Sequence, residues 1–332
     1  MQATPTSKNS TTVRKSSKPG DWFGLAPKQQ LRLARAALQG AFAVSDDLGA
    51  SLAEHLFITP RRHARPAREA AYLATARPLA LEVTLRAPHR HRAKRTLAGW
   101  RWGFGPTVLL VHGWEGRGTQ LGALVEPLVA AGLSVVAFDA PGHGDSPDRQ
   151  LYLTDMADSI ADVAAQVGPL HAIVAHSFGA AGVLLAHVRA GLDVPRTIFL
   201  APNAIVDSAV SHFSKELGLD DSERTLFEQR LVAHTGVELS SLAIDQLAAH
   251  RDSALLVLHD HDDREVSLAQ GRKLAATWPN AQLHETHELG HRRILRDPGV
   301  IAAVTAFACE GLPPPTSDLV REVDRYLAGA EA

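Results

Sequence analysis

The 332-residue chain has a single cysteine, Cys309, so it can form no intrachain disulfide and build no cysteine-based metal site. A reducing compartment fits that usage, and a cytoplasmic protein is expected. Nor does the chain contain the roughly 18 consecutive apolar residues of a membrane span, so no membrane partner is expected. The opening "MQATPTSKNSTTVRKSSKPG" lacks acidic residues and any apolar run that could act as a signal peptide. Residues 1–22 therefore read as a disordered tail. A large net charge is missing too: the formal value of -2 gives no global field to draw in nucleic acid or an acidic membrane.

Charge is nonetheless uneven along the chain. Between Arg61 and Gly103, eleven Lys or Arg stand against only Glu69 and Glu82. The stretch reads as a solvated basic face on a helical extension and an edge hairpin, with no nucleic-acid partner expected.

What the chain has is apolar residues, 45 % of the total, ample for a core. Pro27 is well placed for a helix start, and Leu31, Ala34, Leu38 and Phe42 follow at helical spacing. Ser45 can cap a second helix carrying Leu48, Leu52 and Leu56 and halted before Pro60; a third is expected from Pro66 to about Ala76. Residues 23–78 thus form an N-terminal helical extension. From Leu79 the period changes to two, in "LALEVTLR" and "RTLAGWRW", which predicts an antiparallel pair. Short runs apolar on both faces follow: "TVLLV", "SVVAF", "AIVA", "TIFL" and "ALLVL". Such runs belong in a buried parallel sheet. Helical patterns separate them, so the fold expected is a doubly wound α/β domain, with its core in residues 79–202 and 253–312.

Residues 203–252 break the rhythm. Fifty residues of helical periodicity, including Phe213, Leu217, Leu226 and Leu231, separate two strands and read as an inserted helical cap. After "PPPT" a C-terminal helix is expected within 313–332. This helix and the N-terminal extension are candidates for packing on the core or for a homo-oligomer interface.

In an open parallel sheet, ligands bind at the carboxyl ends of the strands. After "AIVA" comes His176-Ser177-Phe178-Gly179, a serine at a sharp strand-to-helix turn packed between small residues. Taken alone, the run also suits an ordinary helix cap. After "TVLLV" comes His112-Gly113-Trp114, where the glycine lets the Trp114 amide turn toward that of Phe178. Two such amides would make an oxyanion hole; the plainer alternative is a glycine-rich loop without chemistry. His112, Gly113 and His176 are taken as pocket residues. "DAPGHGDS", residues 139–146, is expected to shape the pocket. "HDHDDREV", residues 259–266, offers three aspartates on what reads as a solvated strand end, and a histidine follows in "THELGHRRIL".

These segments, in the order serine, aspartate, histidine, resemble the α/β-hydrolase superfamily over residues 95–310, through "VLLVHGW", "VVAFDAPGHGDS", "VAHSFGAAG", "LLVLHDHDDREV" and "ELGHRRIL". The first position of the usual G-x-S-x-G is Ala175. The family's H-G-x-x-D-x-x-V segment matches His259 to Val266 and places the acid at Asp263, with Asp260 where glycine is usual and Ser267 where proline is usual. Its Gly-His motif matches Gly290 and His291. The resemblance implies an α/β-hydrolase fold with an inserted cap, a Ser177–Asp263–His291 triad and an oxyanion hole at Trp114 and Phe178. It also implies a small-molecule ester substrate and no cofactor. An acyltransferase, or a catalytically silent ligand-binding protein, would carry the same segments.

One stretch invites a rival chemistry. His287-Glu288-Leu289-Gly290-His291 fits the H-E-x-x-H pattern of zinc proteases. That reading needs a helix already formed at His287, yet "AQLHET" alternates like a strand ending there, and Gly290 inside a helix would cost about 1 kcal/mol relative to Ala. Asp297 has a plausible spacing for a third ligand, but Ile294 stands where the extended motif has glycine. No metal is expected.

Overall fold

The computed structural model describes residues 27–248 and 253–312. The expected tail of residues 1–22 and the expected C-terminal helix of residues 313–332 lie outside the described residues. Three helices come first: α1 (Pro27–Val44), α2 (Asp46–Ile58) and α3 (Ala67–Leu73). Ser45 caps α2, its hydroxyl accepting the Leu48 amide at 3.1 Å. The strands follow as β1 (Arg77–Leu85), β2 (Ala93–Trp102), β3 (Thr107–Val111), β4 (Ser134–Phe138), β5 (Leu170–His176), β6 (Arg196–Leu200), β7 (Ala254–Asp260) and β8 (Ala281–Thr286). Between β3 and β4 lies α4 (Val125–Ala130), between β4 and β5 α5 (Leu153–Val167), and between β5 and β6 α6 (Phe178–Ala190). The insertion after β6 holds α7 (Val206–Leu217), α8 (Asp221–Thr235) and the single turn α9 (Ile244–Leu247); then come α10 (Leu268–Thr277), α11 (Gly290–Arg293) and α12 (Pro298–Cys309).

The eight strands form one sheet in the order β1-β2-β4-β3-β5-β6-β7-β8. β1 and β2 are antiparallel to their neighbours and the remaining pairs are parallel. Every residue of β3 and β4 is buried, which is why their sequences are apolar without alternation. One face of the sheet packs against α5, α6 and α10 through residues such as Val163, Leu184 and Leu274, and the other against α4 and α12 through Leu128, Val304 and Phe307. The helical pattern after β3, which in sequence spans Leu121 to Ala131, becomes α-helix only in its second half. Residues Gly118–Leu124 form a 3₁₀ segment and α-helix starts at Val125, so that Pro127, which has no N–H to give, lies in the first turn where none is needed.

A third apolar cluster joins the N-terminal helices to the insertion: Leu38, Ala53 and Ile58 pack with Val210, Leu217, Phe227 and Leu231. The extension is therefore not an appendage. The stretch between Arg61 and Gly103 departs from expectation in the same way, because many of its arginines are paired rather than solvated. Arg61 holds Glu115 through two hydrogen bonds of 2.7 and 2.9 Å. Arg62 donates to the carbonyls of Gly142, Gly144, Ser146 and Asp148. Arg86, Arg90 and Arg95 pair with Asp162, Asp155 and Asp148. The partners lie fifty or more residues away in sequence, so a local count of charge registers an excess that the fold cancels. Among the described residues no helix is long and apolar enough to cross a membrane.

Candidate active site

The expected site residues leave the carboxyl ends of their strands, as an open α/β sheet requires. β5 ends at His176 and α6 begins at Phe178, so Ser177 must turn the chain within one residue. It does so at φ 51° and ψ -120°, a conformation that a residue with a Cβ adopts only under strain. Close packing maintains the turn. A Cβ on Gly179 would come within 2.6 Å of the His112 carbonyl oxygen, and one on Gly113 would lie 3.0 Å from Ser177 Cβ. The end of β3 is thus pressed against the serine turn, and glycine is required at both positions. Trp114 and Phe178 are the residues that follow Gly113 and Ser177, and their rings meet edge to face at 5.6 Å. Phe178 opens α6, where a helix has no internal acceptor for its first amides.

β7 ends at Asp260 and β8 at Thr286, and the loops beyond them meet. His291 Nδ1 donates to Asp263 Oδ2 at 2.8 Å, which leaves Nε2 as the ring's lone pair. The His291 ring lies 4.7 Å, centroid to centroid, from that of His176, the residue preceding Ser177. The Asp263 side chain is completely covered. Burial on its own would raise the pKa of its carboxyl, but hydrogen bonds from His259, His291 and the Val266 amide outweigh it and hold the group well below the usual carboxylate range. The acid is therefore ionised at neutral pH, as the partner of an imidazole must be to fix its tautomer.

The other two aspartates of the segment hold the histidine loop; His261, Asp262, Arg264 and Glu265 are exposed as a solvated strand end would have them, but Asp260 is not. Asp260 is fully buried. Its Oδ1 accepts the amides of Asp262 and Gly290, each at 2.9 Å, and its Oδ2 accepts the Thr286 hydroxyl at 2.7 Å and the Leu289 amide at 3.1 Å. Asp262 accepts the Glu288 amide at 2.8 Å. Glu288 and Gly290 both have positive φ, 62° and 61°, so His287 to Leu289 form a loop, α11 begins only at Gly290, and no helix aligns His287 with His291. His287 instead stacks on His261 at 4.2 Å. Among the described residues no three His, Cys, Asp or Glu are grouped to hold a metal ion.

His112, Gly113 and His176 stand behind the serine turn rather than in the pocket. His112 Nδ1 donates to the Gly113 carbonyl and its Nε2 accepts the Ala140 amide; His176 Nε2 donates to the His291 carbonyl. In "DAPGHGDS", His143 accepts the Glu115 amide and Asp139 accepts those of Gly118 and Asp145, bracing the loop that carries Trp114. Burial pushes the imidazoles of His112, His143 and His176 down to about 4, 3 and 3. In the unfolded chain each would take a proton near its ordinary value of about 6.5. Their stabilising contribution is thus complete above about pH 6.5 and is lost as the pH falls toward 4. We expect a loss on the order of 2 kcal/mol per histidine between pH 7 and pH 5, read as a fall in the urea midpoint with pH. A flat profile across that range would contradict the burial of these rings.

A cavity of about 600 Å³ adjoins the turn, lined by Trp114, Phe178, Leu185 and Val266 from the core and by Val210 and Phe213 from the insertion. Sequence reasoning missed a further part of its wall, Leu56, Phe57 and Ile58 at the end of α2; the signal for it was an apolar "LFI" where a helix face should have ended.

A strained serine between strand and helix, an aspartate–histidine pair beyond the ends of β7 and β8 and an eight-stranded sheet of this order among the described residues make up the α/β-hydrolase fold, and the chain has that fold. The family model for serine aminopeptidases of the S33 type matches residues 105–219, from just before β3 to just beyond α7. Among solved structures, an esterase from Pyrococcus furiosus aligns with a TM-score of 0.55 at 15 % identity, over 75 % of this chain and 96 % of that one. An esterase from a Rhodococcus species gives 0.52 at 17 % identity, over 71 % and 99 %. A bromoperoxidase from Bacillus anthracis gives 0.51 at 14 %, over 69 % and 99 %. At such identities the likeness is one of fold. No curated sequence matches the chain.

Proposed function

We propose that the protein is a serine hydrolase of small to medium carboxylic esters. The observation that carries the reading is the pairing of Asp263 with His291, whose ring lies 4.7 Å from that of His176, the residue just before a serine held at φ 51°. Ser177 Oγ attacks the acyl carbon while His291 Nε2 takes its proton; the bond to the leaving alcohol breaks, and imidazolium returns the proton to that alcohol. Water then attacks the acyl-enzyme by the same route in reverse, releasing the acid and restoring the serine. Asp263 holds the Nδ1–H tautomer and stabilises imidazolium. The amides of Trp114 and Phe178 stabilise the oxyanion, a contribution usually worth several kcal/mol. The neighbours named as esterases support the ester substrate, and the apolar cavity supports an uncharged acyl group, since Arg61 on its wall is committed to Glu115.

A fluorophosphonate reagent should become covalently attached to the peptide containing Ser177, as read by mass spectrometry. p-Nitrophenyl esters should be turned over in the presence of excess EDTA and by His287→Ala. Labelling elsewhere, or loss of turnover in EDTA, would overturn the reading. Amino-acid p-nitroanilides, run in parallel, decide whether the peptidase name of the matched family extends to this chain.

A further inference from the structure

We infer that α2 of the N-terminal extension is half of the lid over this site, and that Phe57 sets the depth of a pocket for an apolar, medium-chain acyl group. The inference rests on the hydrolase reading for the chemistry of the ligand, and on packing for everything else.

The cavity beside Trp114 and Phe178 is bounded on one side by the insertion and on the other by Leu56, Phe57 and Ile58. Phe57 stands edge to face with Phe213 of α7 at 5.0 Å and with Phe227 of α8 at 5.4 Å, while Phe213 and Phe227 are themselves 5.4 Å apart. Three rings from three helices therefore meet at the cavity wall, each contact adding to simple burial. Phe57 and Phe213 face the cavity and Phe227 stands behind them, fully buried.

The two halves are also fastened together. Glu54, one turn before Phe57, is buried, and its carboxylate accepts from the Tyr152 hydroxyl at 2.9 Å, from Arg230 Nε at 2.8 Å and from His234 Nδ1 at 2.6 Å. Arg230 and His234 belong to α8 and Tyr152 precedes α5, so one carboxylate ties α2 to both the insertion and the core. The Ile58 carbonyl accepts the Leu151 amide at 2.9 Å, and Arg35 of α1 donates to the Glu216 carbonyl of α7. A wall fixed at so many points does not yield to a longer ligand. Phe57 is thus a specificity-determining residue, and the extension has a purpose that its distance in sequence from Ser177 conceals.

The test compares kcat/KM for p-nitrophenyl acetate, butyrate, octanoate, laurate and palmitate in wild type, Phe57→Ala and Phe57→Trp. Wild type should prefer butyrate or octanoate. Phe57→Ala should raise the laurate-to-butyrate ratio at least tenfold and Phe57→Trp should lower it by a similar factor, as expected of volume changes in a hydrophobic pocket. Phe57→Leu provides a second small side chain should the alanine variant fold poorly. Unaltered ratios in well-folded variants would overturn the inference. Were no ester turned over by wild type, the hydrolase reading would fail on its own; displacement of a fluorescent fatty acid by octanoate and laurate would then read the same cavity. The length preference should still shift with Phe57, and failure to shift would sink the inference independently.

Discussion

Ser177→Ala is expected to lower kcat for p-nitrophenyl esters by about 10⁴-fold or more while leaving KM within a few-fold, because in the proposed mechanism nucleophile, base and acid act as one unit and the cavity proposed for the acyl group is untouched. The comparison is informative because Ala bears the same backbone strain as Ser. Ser177→Gly removes it as well. Strain of about 1–3 kcal/mol at such a turn, set against about 0.4–1 kcal/mol for the extra freedom of an unfolded glycine, predicts a variant that is inactive yet about 1 kcal/mol more stable than wild type in urea. Retention of activity in Ser177→Ala would dismiss the serine mechanism; a less stable Ser177→Gly would dismiss the strain.

Asp260→Ala should cost both activity and stability. Its carboxylate accepts four donors, two of them the Leu289 and Gly290 amides immediately before His291. Removing it leaves four half-buried donors without their acceptor, each costing at most about 1–3 kcal/mol where water does not replace it, so destabilisation of roughly 2–3 kcal/mol is expected. The effect on rate follows from position. A histidine misplaced by about 1 Å costs on the order of 10²-fold, and the loss should fall on kcat rather than KM, measured well below the melting midpoint. Asp260→Asn keeps one acceptor oxygen and should lie between alanine and wild type in both respects. Were kcat unchanged in a folded Asp260→Ala, this aspartate would serve the strand end alone.

These two residues mark the limits of what the sequence makes legible. The five apolar runs could be read as parallel strands because burial on both faces removes alternation, and once the strands are known their ends locate Ser177, the three aspartates of "HDHDDREV" and the histidine loop, among which the resemblance to the α/β hydrolases singles out Asp263 and His291. "HELGH" could be set apart from a zinc helix because a strand was seen to end at Thr286. Asp260 was harder. Standing where glycine is usual, it looked like one more acid on a wet strand end, and only the returning loop reveals that its oxygens face amides thirty residues away. The departure at Ser267 is similarly local in its resolution: its hydroxyl accepts the Ala269 amide and caps α10, doing what a proline at the helix start would do by other means. The arginines of residues 61–103 and the Phe57 wall stayed unread for a common reason. Their partners lie about 50 to 180 residues away, and composition is the same whether a side chain meets water or a distant helix.

The union of α1 and α2 with α7 and α8 also dictates an order of events at the ribosome. Leu38, Ala53 and Ile58 are made early, but the surfaces that cover them, at Val210, Phe227 and Leu231, emerge some 150 to 190 residues later. At about 5–20 residues per second, the nascent chain carries an uncovered greasy helical pair for many seconds while the sheet assembles behind it. Closure of this helical cluster is then among the last and most non-local steps of folding, the kind that proceeds slowly and exposes a chain to aggregation. Production of the protein should accordingly be more sensitive to chaperone supply than its well-packed sheet would suggest.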